Sequence, residues 1–116
     1  EEERLRQLSK YDLDAFPMRK VLERLTRIAV ETFDVETAFV GVVEEDEDRI
    51  ISCEGLDIET IPREETICSY TILGDTVTTV EDLGSDPRFA RSMVRRETDL
   101  RSYAGVPLVT LDGHTI

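Results

Sequence analysis

The sequence predicts an α+β domain built on an antiparallel sheet. Three observations carry that reading: a long amphipathic helix early in the chain, short apolar strands interleaved with short helices after it, and a hairpin signal at Asp112-Gly113. At 116 residues the chain holds one domain at most, and such a length buries roughly two-thirds of the surface the unfolded chain exposes.

The first segment, EEERLRQLSKYDLDAF, is polar apart from Leu5, Leu8, Leu13 and Phe16. Leu5 and Leu8 have helical spacing, and Glu1 to Glu3 suit the positive end of a helix dipole. Residues 1–16 read as a linker or signalling helix arriving from an upstream domain, with residues 17–116 as the folded domain. Pro17 marks a break or a first helical turn. MRKVLERLTRIAVETF is the clearest helix: Val21, Leu22, Leu25, Ile28, Ala29 and Phe33 form one stripe at 3.6 periodicity. The stripe is wide enough to face both the sheet and a second copy of the chain.

TAFVGVV predicts a strand over Thr37–Val43, apolar on both sides and so expected in the centre of the sheet. EEDEDR reads as an acidic turn and IISC as the partner strand of a hairpin. Gly55 and Pro62 punctuate the next stretch, Glu64 to Ile72 predicts a short helix, and Val77 to Val80 a brief strand. In SDPRFARSMVRRE, Asp86 is placed as an N-cap with Pro87 at the first helical position. Ser102 to Val109 is the last strand, and only His114, Thr115 and Ile116 follow the Asp112-Gly113 turn.

Charge narrows the partners. With 26 acidic residues against 14 basic ones, the net charge of −12 repels nucleic-acid phosphates and anionic lipid, so neither is expected as a partner. Only Lys10 and Lys20 are lysines; the other 12 basic residues are arginines. An acid-rich, lysine-poor chain fits the composition of halophilic archaea, and an ordinary acidic bacterial domain is the alternative. No apolar run reaches the ~20 residues of a membrane helix and no basic-then-apolar leader opens the chain, which predicts a soluble, cytoplasmic domain. Cys53 and Cys68 make no disulfide framework, and one histidine cannot build a Cys/His zinc site.

The stretch IPREETICSYTILGDTVTTVEDLGSDPRFARSMV, followed by LRSYAGVPLVTLDGHTI, resembles the GAF domain, a small sensory fold of signal-transduction proteins related to PAS. The order and spacing of these segments carry the likeness, which runs from about Met18 to Ile116. The resemblance implies a central antiparallel sheet, the long N-terminal helix on one face, and a small-molecule pocket roofed by short helices on the other. It also implies a further strand of G-x-L-x-V type and a C-terminal helix after the turn. Both are missing from the sequence, so a domain truncated at its C-terminus, and association through the strand edge left open, are expected. By position, Cys68, Tyr70, Asp82, Phe89 and Tyr103 become candidate ligand-binding residues.

Each candidate also has a plainer reading. Cys68 would be an oxidant sensor or a bilin anchor, but Ser69 stands where bilin-binding GAF domains commonly place His, and a buried small thiol explains it as well. Phe89 and Tyr103 serve equally as core. His114, the single histidine, lies in or just after a turn and reads as a surface residue rather than a haem ligand. Arg88, Arg91 and Arg95 are placed on one helical face, to hold an anionic ligand or to balance nearby acids. The chain contains no asparagine, which disfavours the cyclic-nucleotide class with its Asn-Lys/Arg signature. Cys53 and Cys68 do not make the cysteine set of a free methionine sulfoxide reductase, and no Ser/His/Asp set, Walker loop or HExxH is present. The domain itself is therefore read as a non-enzymatic regulatory module. It is expected to be homodimeric, to bind an unidentified small molecule, and to be fused to an output domain such as a histidine kinase. A ligand-free dimerisation scaffold, a transcription-regulator module and a thiol-based redox sensor are the alternatives.

Overall fold

The computed structural model describes all residues, 1–116, as four α-helices and five strands. Helix α1 spans Glu2–Leu8 and α2 spans Phe16–Phe33, with Pro17 in its first turn. Strands β1 (Ala38–Val43), β2 (Glu47–Glu54) and β3 (Thr60–Pro62) follow. A 3₁₀ turn at Arg63–Glu65 leads into the single-turn helix α3, Cys68–Thr71. Strand β4 (Thr78–Val80), helix α4 (Met93–Glu97) and strand β5 (Tyr103–Gly105) complete the fold.

The strands pair antiparallel, as expected, but in two sheets: β1-β2-β3 and β4-β5. β1 pairs with β2 alone, so the segment read as a central strand lies at a sheet edge. Beyond Gly105, Pro107 has no N–H to donate, and the expected Ser102–Val109 strand shortens to three residues. Pairing resumes at Val109, which bridges to Thr115 around the Asp112-Gly113 turn, where Gly113 has a φ of 88°.

Two other segments depart from the sequence reading. β2 begins at Glu47, inside the stretch read as a turn, because Asp48 pairs with Val43 and its side chain is completely buried. Asp86 and Pro87 open only one helical turn: the Phe89 and Ala90 N–H groups donate to the Asp86 carbonyl, Phe89 sinks into the core, and the chain leaves helical geometry. The helix starts again at Met93, where the Ser92 hydroxyl accepts the Arg95 N–H.

One face of the first sheet carries α2. Its Leu22 and Thr26 point inward, and the Thr26 hydroxyl meets that of Ser52 on β2 at 3.1 Å. Leu8 and Leu13 pack on Val42 on the same side, and Glu1 reaches Arg63, which also bonds the Glu44 carbonyl. The hydrogen bonds from Arg63 and Arg4 pull the Glu1 carboxyl down to about 2. The opposite face carries α3, α4 and the β4-β5 pair over the main core of Ile61, Ile67, Val80, Leu83, Phe89 and Val94.

Candidate functional site

Where the sheet meets the α3–α4 layer, the core closes imperfectly. Phe39 from β1, Ile61 from β3, Thr66 and Ile67 before α3, Val94 from α4 and Tyr103 from β5 surround a cavity with about 20 Å³ of free space. That is room for roughly one water. Every lining side chain is hydrophobic or aromatic except Thr66 and Ser102.

A chain of polar groups stands behind Thr66. The Thr66 hydroxyl donates to Asp48 Oδ2 at 2.5 Å and accepts the Cys68 N–H at 3.2 Å. The Cys68 thiol lies against the Asp48 carboxyl and 3.8 Å from the Tyr103 hydroxyl, which in turn meets Thr71 Oγ1 at 2.9 Å. One network thus ties β2, the α3 roof and β5 together. Asp48 Oδ1 is buried and has no hydrogen-bond partner.

Two glycines make this arrangement possible. A Cβ on Gly41 would come within 2.4 Å of Asp48 Oδ1, and a Cβ on Gly105 would meet the Tyr103 hydroxyl at 2.1 Å. The β1–β2 register shift between Val40 and Gly41, with Ile51 as the extra residue, seats Gly41 beside the carboxyl.

Burial sets the titration of the network. It raises the Asp48 carboxyl above the usual range, against the opposing pull of its bonds to Thr66 and Cys68. Burial and then the Asp48 carboxylate push the Cys68 thiol up to about 12. Burial likewise raises the Tyr103 phenol. At neutral pH the Cys68 thiol is protonated and a poor nucleophile.

Residues 17–116 match the family model of the GAF domain. The chain belongs to the GAF domain family. It is a sensory module of signalling proteins. A cyclic di-GMP phosphodiesterase of Pseudomonas aeruginosa is 35% identical over 95 residues, which is 81% of this chain and 16% of that protein. The chain therefore spans a small part of that relative's length. Solved structures with the same fold include the type II free methionine-R-sulfoxide reductase of Thermoplasma acidophilum. It is 20% identical with a TM-score of 0.68, over 90% of this chain and 72% of that one. The GAF domain of a phosphoenolpyruvate-protein phosphotransferase from Coxiella burnetii is 14% identical with a TM-score of 0.67, over 97% and 71%. At these identities the structural likeness establishes the GAF fold.

The candidate residues scatter around the GAF cavity. Tyr103 lines it, and Cys68 stands one step behind. Phe89 is buried in the adjacent core and meets Tyr70 edge-on, with ring centroids 5.2 Å apart. Tyr70 itself faces outward, with the Arg88 guanidinium 4.9 Å over its ring. Asp82 is exposed, and its carboxylate accepts the Gly84 N–H and the Ser85 hydroxyl to shape a turn. The arginines do not share a helical face, because Arg88 precedes α4: it is paired with Asp86, while Arg96 pairs with Glu65. His114 is half-buried in the last turn, and its N–H donates to Thr110 Oγ1. No group of His, Cys, Asp or Glu side chains has the geometry to hold a metal, and no helix is long and apolar enough to cross a membrane.

Sequence reasoning missed Asp48, Thr66, Thr71 and Phe39. Asp48 was hidden in an acidic run, although its two-residue spacing from Ile50 is a strand signal.

Proposed function

We propose that this GAF domain is the small-molecule-sensing part of a larger cytoplasmic signalling protein, and that its ligand enters the cavity between β1 and the α3–α4 layer. The observation that carries this reading is an apolar cavity with one polar wall, placed where three elements joined by hydrogen bonds converge. Occupancy moves the Thr66–Thr71 roof. The 3₁₀ turn that leads into it passes the change on, through Arg63, to Glu1, which caps the N-terminus of α1.

The fused output is a signalling enzyme. The phosphodiesterase relative supports cyclic di-GMP turnover ahead of a histidine kinase. The GAF domain contributes regulation and no catalysis, and the protonated, buried Cys68 thiol argues against a redox sensor. The domain pairs with a second copy through α2, whose Val21, Leu25 and Ile28 are about half exposed in one stripe. Arg24 and Glu31 flank that stripe on one side, and an antiparallel copy would set each against its opposite charge.

Native mass spectrometry of the gently purified chain tests the reading. A bound small molecule is expected. The tight cavity favours a second reading, a scaffold without ligand, and an empty dimer would uphold that one instead.

A further inference from the structure

The walls of the cavity also restrict what can enter it. Resting on the ligand-pocket reading above, we propose that the cavity takes a non-anionic, mainly apolar ligand carrying one N–H or O–H donor, which it delivers to the Thr66–Asp48 end.

No lysine, arginine or histidine lines the cavity. A phosphate or carboxylate placed there would lose its hydration with no counter-ion to replace it, so its desolvation would go uncompensated. The polar wall makes matters worse for an anion. Asp48 is fully buried behind Thr66, and one of its oxygens is unpartnered. The same wall favours a donor. The only proton of the Thr66 hydroxyl is committed to Asp48 Oδ2, and one of its two lone pairs takes the Cys68 N–H. What Thr66 has left to offer is an acceptor. Apart from Ser102, the rest of the lining is hydrophobic or aromatic and selects an apolar body, and Leu56 and Leu100 are among the wall residues able to yield. Both sit in loops, outside any strand or helix, whereas Phe39, Ile61 and Val94 are fixed in regular elements.

Three probes of nearly equal shape separate the possibilities: indole, 1-methylindole and indole-2-carboxylate. Calorimetric titration of the 116-residue chain gives their affinities, and methyl NMR of Ile61, Ile67 and Leu83 reports whether each reaches the cavity. Indole should bind saturably and shift those methyls. 1-Methylindole, which lacks the donor, should bind about tenfold more weakly, since leaving the buried Thr66 acceptor unsatisfied costs roughly that factor. Indole-2-carboxylate should leave the methyls unmoved. Binding of the carboxylate as tight as that of indole would overturn the ligand class while leaving the pocket intact. Equal binding of the two neutral probes would overturn the donor requirement. If none of the three moves the cavity methyls, the pocket itself is lost, and the inference with it.

Discussion

Asp48 illustrates how one side chain fixes its neighbours. Its carboxyl occupies the space a side chain at Gly41 would need. Gly41→Ala should therefore cost about 1–3 kcal/mol in urea unfolding, the usual range for overpacking, and much less when Asp48 is also replaced by Ala. Equal costs in both backgrounds would place the clash elsewhere. Titration gives a second handle. The unfolded chain releases the Asp48 proton near the ordinary carboxylate value, whereas the folded chain holds it to higher pH. Through that window the folded state binds more protons, so wild-type stability falls as pH rises and levels off above the folded value. Asp48→Asn removes the effect. Its stability relative to wild type should climb as pH rises from about 4 and then flatten, and a difference independent of pH would contradict the raised carboxyl. Cys68, with its thiol near 12, should resist alkylation at pH 8 while exposed Cys53 labels readily. Mass spectrometry of the native chain should find one label per molecule, and none in Cys53→Ser.

Among the elements, α2 was the most legible and also the most instructive. Its periodicity and the position of Pro17 located the helix in the sequence. The pattern did not say which part of a wide stripe faces inward. The sheet takes Leu22, with Thr26 beside it, and leaves Val21, Leu25 and Ile28 outside. Leu22 is thus a core residue rather than the dimer contact that a single undivided stripe implies. Leu22→Ala should lower stability by about 2–5 kcal/mol. Leu25→Glu should leave the melt nearly unchanged and shift the α2-mediated dimer proposed above toward monomer in sedimentation. An unchanged association state would mean that the stripe has another occupant, or none. The short elements were harder to read. An acidic run looks like a turn until Asp48 and Ile50 are seen two residues apart. A capping Asp-Pro pair looks like a helix start until Phe89 is drawn into the core. In both cases tertiary burial overrode a sound local preference. The site was less legible still, because the cavity gathers residues from β1, β3, β5 and α4, and no sequence period links those elements.

At the scale of the whole molecule, the net charge of −12 opposes compaction. The ion pairs that do form, such as Arg49 with Asp14 and Glu44, leave most of the 26 acids without a partner. Thermal midpoints should therefore rise from low to molar KCl, and a flat curve would remove repulsion as a significant factor. On the function proposed above, the cavity under α3 is the place where this GAF domain meets its signal. Methyl spectra of the chain as purified, and again after partial unfolding, dialysis and refolding have stripped it, are the measurement that decides this. Shifts should gather on Ile58, Ile67, Leu83 and Val94, with Val21, Leu25 and Ile28 unmoved. Superimposable spectra, or changes confined to the α2 stripe, would contradict it.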